Sequence, residues 1–177
     1  MNYDAGRPTV DGGYTRPTLP DDLVAREVAV IANHLHCNAI RITGDSVSRI
    51  ATVAQYAAGH GMVVWLSPSL GNATPEQHLN QLEQVAVIAH ELRGENAQAV
   101  VVAGCELSVF TKGIIQGASV RERMALLADP NYWTAPGAAE AGADAMHRFE
   151  AHLASGEGRA LIVLRANNLC GCTLGTG

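Results

Sequence analysis

Short apolar runs alternate with amphipathic stretches along this chain, and that alternation narrows the folds open to it. Residues 37–43 (CNAIRIT), 62–66 (MVVWL) and 97–103 (AQAVVVA) are close to continuous in apolar side chains. Runs of this length and kind suit strands covered on both faces, as in a parallel sheet. Helical patterns separate them. Val24, Val28, Ile31 and Leu35 mark one helical face, and Val47, Ile50, Ala54 and Ala57 mark a second within residues 45–58. Pro20 before Asp21 and Asp22 suits a helix start, because a fixed φ is followed by acids near the positive end of the dipole. Gly59 and Gly61 stop the second helix. Thr74-Pro75-Glu76-Gln77 predicts an N-cap, a proline at N1 and a capping box, ahead of a face formed by Leu79, Leu82, Ala86 and Ala89.

Before and after this core the rhythm loosens. Gly6, Gly12, Gly13, Pro8, Pro17 and Pro20 make the first 20 residues loop, apart from the tail of a strand at residues 1–4. Residues 109–137 are mixed, with one short helix at 120–128. A helix over 138–154 brings Met146, Phe149 and Leu153 into register, and 159–164 reads as a last strand. Residues 165–177 carry no usable pattern, so the expected domain is 1–154, with 155–177 holding that strand and a tail. Single strands alternating with amphipathic helices imply parallel pairing through right-handed crossovers. Two α/β architectures satisfy this: a (β/α)8 barrel and a doubly wound open sheet.

Composition excludes several function classes. Apolar residues make up 47% of the 177 and charged ones 16%, which is neither a disordered chain nor a charged coiled coil. The formal charge of -5, without a basic stripe, recommends no nucleic-acid or anionic-membrane partner. No apolar run is long enough to span a bilayer, and no charged-then-apolar leader opens the chain, so the expected location is cytoplasmic. Four cysteines, two of them in Cys170-Gly171-Cys172, are too few and irregular for a disulfide framework or a zinc site.

In either architecture the chemistry belongs at the C-terminal ends of the strands. Tyr3 and Asp4, Arg41 to Asp45, Trp65 to Ser67, and Cys105-Glu106 gather there. Glu106, directly after the AVVVAG run, is either a functional carboxylate or a helix-start acid or ion-pair partner. Arg41 lies inside a strand pattern, and a buried arginine needs a carboxylate or a ligand.

Leu35-His36-Cys37-Asn38-Ala39-Ile40-Arg41-Ile42, Val64-Trp65-Leu66-Ser67-Pro68 and Gly104-Cys105-Glu106-Leu107-Ser108-Val109-Phe110 resemble segments of the bacterial abortive infection protein family. That family is similar to the TIM-barrel glycoside hydrolases of the cellulase superfamily. Asn2-Tyr3-Asp4 is similar to its first strand, and the likeness covers residues 2–127. The resemblance implies Glu106 as the catalytic acid/base after the fourth strand, with Cys105 where the superfamily usually has Asn. It implies Arg41, Trp65, Tyr3 and Asp4 as substrate-binding residues, a carbohydrate ligand, and neither metal nor organic cofactor. A complete barrel takes about 250 residues, and this chain supplies four and a half βα units. The expected fold is therefore a partial (β/α)8 TIM barrel, a truncated or pairing member of the family. It lacks the second catalytic carboxylate, so its activity is weak or absent. A non-catalytic phage-defence or binding role at the barrel mouth is the alternative. Uncovered strand edges imply self-association.

Two weaker patterns complete the reading. Gly44-Asp45-Ser46 with Asp144 and His147 is similar to the blocks of GDSL-type esterases, with Ser46 as nucleophile. The bland reading of Ser46 is a helix cap. His34 and His36, two residues apart at a helix end, do not share a face and do not read as metal ligands.

Overall fold

The period of two along each strand decides which side chains meet the helices. A computed structural model of the chain describes residues 1–132, 147 and 162–163. Strands β1 (Asn2–Gly6), β2 (Ala39–Gly44), β3 (Val63–Pro68) and β4 (Ala99–Val102) lie side by side in chain order, all parallel, and the two-residue β5 (Ile162–Val163) pairs with β4. Helices α1 (Asp21–Asn33), α2 (Val47–Gly59) and α3 (Pro75–Gly94) connect the first four strands, and α4 (Leu107–Phe110) and α5 (Val120–Ala128) follow β4. The chain is mixed α/β around one open parallel sheet. Among the described strands the order follows the chain, without the reversal that marks a doubly wound sheet.

One pleat of the sheet packs on the helices. Tyr3, Ile42, Leu66 and Val101 form a row across four strands, flanked by Ala5, Ile40, Val64 and Ala99, and all are buried. Val24, Val28 and Ile31 of α1, Ile50, Val53, Ala54 and Ala57 of α2, and Leu82, Val85, Ala89 and Leu92 of α3 close the same core. The helices therefore lie on one side. The other pleat carries Asn2, Arg41, Trp65 and Val100 in one row, with Asp4, Thr43 and Ser67 two residues further on.

The local signals explain most helix ends. Thr74 and Gln77 form the capping box, with Thr74 Oγ1 accepting from Gln77 N–H at 3.3 Å and Gln77 Oε1 accepting from Thr74 N–H at 2.8 Å. The helix predicted over 120–128 is α5, capped by Ser119. Two expectations need correcting. Leu35 is not on the face of α1, because the helix ends at Asn33 and a left-handed His36 turns Leu35 out to 53% exposure. The expected face of α3 holds at Leu82 and Ala89, with Leu79 packed against the core, but the face also buries His78 and Gln81, which an apolar count omits. The helix expected over 138–154 lies outside the described residues except for His147, which is helical. Of the last strand expected over 159–164, the described part is Ile162–Val163. Among the described residues no helix is long and apolar enough to cross a membrane.

The long connection between β1 and α1 is tied down by two arginines. Arg49 of α2 donates to the carbonyls of Arg16 at 2.7 Å, Pro17 at 2.9 Å and Ala5 at 3.4 Å. Arg16 grips both carboxylate oxygens of Glu27 at 2.9 Å and donates to the Asp4 carbonyl at 3.2 Å, which blunts part of the β1 edge. Gly6 makes room for this knot. Its φ is +103°, and a Cβ there would lie 2.5 Å from Arg49 Nη1 and 2.7 Å from Tyr14 Cε1. Gly12 also has a positive φ, but its Cβ position is open. Gly6→Ala is therefore expected to cost about 1–3 kcal/mol more than Gly12→Ala, the cost of overpacking, as read from urea midpoints. Equal losses would show that the knot yields freely.

Candidate functional site

The pleat facing away from the helices gathers polar groups toward the C-terminal ends of the strands. Arg41 has Asn2 and Trp65 as its register partners, yet its guanidinium reaches one row further and donates from Nη2 to Ser67 Oγ at 2.9 Å. Ser67 is almost fully buried, and the Arg41 Nε is buried with no hydrogen-bond partner among the described residues. A buried charged donor left without an acceptor is costly, so this nitrogen marks the face as one where polar groups are not all satisfied by the described residues. Trp65 is half-buried on the same pleat, and Asp4 stands in the row of Thr43 and Ser67. One Asp4 oxygen accepts from the Gly6 N–H at 2.9 Å.

Glu106 lies beyond the end of β4, exposed, in the left-handed region at φ 52°. Its carbonyl accepts from Val109 and Phe110, but its carboxylate neither caps α4 nor joins an ion pair among the described residues. Glu106 thus stands at the start of α4 through its backbone, while its carboxylate has no ion-pair partner among the described residues.

Tyr3 is the expected site residue that the pleat sends elsewhere. It faces α1, 5% exposed, and its hydroxyl donates to Glu27 Oε2 at 2.6 Å under the Arg16 guanidinium. Burial, then the Glu27 carboxylate, push this phenol well above the usual tyrosine range. Asp4, Arg41 and Trp65 therefore share one face, and Tyr3 serves the helix layer behind it.

Several groups at this end of the sheet carried no sequence signal. Tyr14, from the glycine-rich first loop, donates its hydroxyl to Asp45, whose carbonyl accepts from Gln81 Nε2 at 2.6 Å. Arg123 of α5 is fully buried and donates to the Val109 carbonyl at 2.6 Å, the Gly117 carbonyl at 2.8 Å and Asn72 Oδ1 at 2.8 Å. It joins the loop after β3 to the segment after β4. Ser46 has the helix-cap role: it caps α2, accepting from Arg49 N–H at 3.4 Å and pairing with Ser48 at 3.0 Å. Asp144 and Cys170-Gly171-Cys172 lie outside the described residues. Among the described residues no group of three or more His, Cys, Asp or Glu is placed to hold a metal.

Comparison with protein-family models and with curated proteins finds no match for this chain.

The Tyr14–Asp45 contact can be checked by titration. Burial, followed by the Asp45 hydrogen bond and charge, pushes the Tyr14 phenol up to about 12. Unfolded tyrosine ionises near its ordinary 10, so above that pH the unfolded chain holds fewer protons than the folded one. Stability from this group is then complete below pH 10 and falls as pH rises toward 12. Absorbance titration should show Tyr14 ionising late, and Tyr14→Phe should remove one late component. An unchanged late amplitude in that variant would rule the contact out.

Proposed function

We propose that this chain is part of a glycoside-hydrolase-like (β/α)8 barrel of the abortive infection type, and that the sheet face opposite α1–α3 binds a carbohydrate. Parallel strands in unbroken chain order, with α1–α3 on one side, support the barrel reading. One observation carries the ligand: the Arg41 guanidinium, with its buried unpartnered Nε, stands beside half-buried Trp65 and below Asp4 on that face. A sugar ring suits such a surface. Its C–H face stacks on an indole, and its hydroxyls accept from a guanidinium and donate to a carboxylate.

In a complete barrel Glu106 would protonate the leaving oxygen while a second carboxylate attacks the sugar or activates water. Such pairs stand about 5–9.5 Å apart. Asp4 is on β1 and Glu106 follows β4, three strand spacings or roughly 14 Å away along the sheet. This separation favours binding over bond cleavage by the chain alone. The same reading expects self-association at the β1 edge. An open groove of about 440 Å³ runs there between β1 and α1, and exposed Met1, Val30 and Leu35 line it.

The test uses the single tryptophan left by Trp133→Phe. Oligosaccharides of glucose, xylose and N-acetylglucosamine are titrated in while Trp65 fluorescence is followed. Saturable quenching is expected with at least one of them, weakened about tenfold or more by Arg41→Ala, the loss of one charge-assisted contact. Aryl-glycoside hydrolysis should stay at background in both the parent and Glu106→Gln. Quenching by none of the sugars would remove the carbohydrate reading. Hydrolysis that Glu106→Gln abolishes would instead make this chain an enzyme. Sedimentation velocity checks the edge: Leu35→Asp should shift the distribution toward monomer.

A further inference from the structure

The loops after β3 and β4 are joined above the ends of those strands. Ala73 and Thr111 form a parallel bridge, with Ala73 N–H donating to the Phe110 carbonyl at 3.2 Å and Lys112 N–H to the Ala73 carbonyl at 2.8 Å. Beneath that seam lies a cavity of about 10 Å³, room for about one water. His78, in the first turn of α3, lines it together with Ser69, Gln81, Cys105, Leu107 and Phe110. The imidazole is only 6% exposed, its Nε2 has no hydrogen-bond partner among the described residues, and its backbone partner is Phe110 of α4.

We propose that His78 is a proton-sensitive latch: while neutral it holds the segment after β4, with Cys105 and Glu106, against α3, and when protonated it releases that segment.

Among the described residues that line the cavity, no carboxylate faces an imidazolium at His78. Pro68, Ser69 and Leu70 from the loop after β3 carry no charge, nor do Leu107 and Phe110 of α4. On α3 the neighbours are the uncharged Gln81 and Leu82, and Gln81 Nε2 donates to the Asp45 carbonyl. From the end of β4 come Ala103, Gly104 and Cys105, whose thiol is the one titratable side chain among the lining residues. Burial accordingly holds His78 below its ordinary 6.5, with the Phe110 carbonyl opposing part of the effect. Once the segment lifts away, the solvated ring regains the ordinary value. The closed arrangement is therefore fully favoured above about pH 6.5. Below that, the open form takes up a proton that the closed form refuses, and closure weakens until the lowered value of the closed form is reached. The latch operates whatever the sheet face binds, so failure of the carbohydrate test leaves it standing.

Amide hydrogen exchange by NMR, corrected for intrinsic rates, reads the latch directly. From pH 7.5 to 5.5 the opening equilibrium at Ala73 and Lys112 should rise, by up to about tenfold per pH unit below 6.5. Ile42 and Leu66, in the strand core, should not follow. In His78→Gln the rise at Ala73 and Lys112 should disappear. The ring nitrogens of His78 in the parent chain give a second readout that needs no variant, with an expected midpoint below 6.5. A midpoint at or above 6.5, or a pH-dependent rise that persists in His78→Gln, overturns the proposal.

Discussion

Burial of one pleat of β1–β4 against α1–α3 holds everything else in place. The row Tyr3, Ile42, Leu66 and Val101 has to meet the helices, because its apolar area has no other cover among the described residues. Side chains alternate along a strand, so the row Asn2, Arg41, Trp65 and Val100 is driven to the opposite face. A slip of β2 by one residue would put the Arg41 guanidinium among Val24, Val28 and Ile50 and expose Ile40 and Ile42. The energetic penalty for that slip lies entirely in the helix-side core. The candidate site is thus positioned by residues that never touch it.

Loop order comes from a different source. The segments before α1 and after β3 and β4 are irregular, and even where they bury side chains such as Val109, Ile114 and Ile115 their backbone carbonyls still need partners. Guanidinium groups supply them. Arg49 serves three carbonyls around the β1–α1 connection, and Arg123 serves two carbonyls and an amide oxygen around the far loops. A planar group with five donors can hold irregular chain where a single hydroxyl or amide cannot.

Much of the fold was legible in the sequence for physical reasons that act locally. The Thr74 box, the helix over 120–128 and the apolar rows of β2 to β4 each depend on residues within one or two turns of each other. Less of the candidate site was legible. Asp4, Arg41 and Trp65 do share a face, but Tyr3, adjacent to Asp4 in sequence, points the other way because the pleat separates neighbours. Counting apolar positions found Leu79, Leu82 and Ala89 on the core side of α3 but missed the polar His78 and Gln81, which are buried there on the strength of distant partners, Phe110 and the Asp45 carbonyl. The Arg41–Ser67 contact depends on a side chain climbing one row of the sheet, which no spacing rule conveys.

Arg123 also has a bearing on how the molecule comes into being on the ribosome. Its bond to Asn72 spans 51 residues of sequence, and its other two acceptors, Val109 and Gly117, precede it as well. Strands β1 to β4 and their three helices can emerge and pack before α5 exists. The loops over their C-terminal ends have the Ala73–Thr111 seam but lack the Arg123 tie until position 123 clears the exit tunnel. During that interval the nascent chain has its core and a rim held only by the Ala73–Thr111 seam, and folding factors or proteases would meet a half-finished mouth above the first four strands.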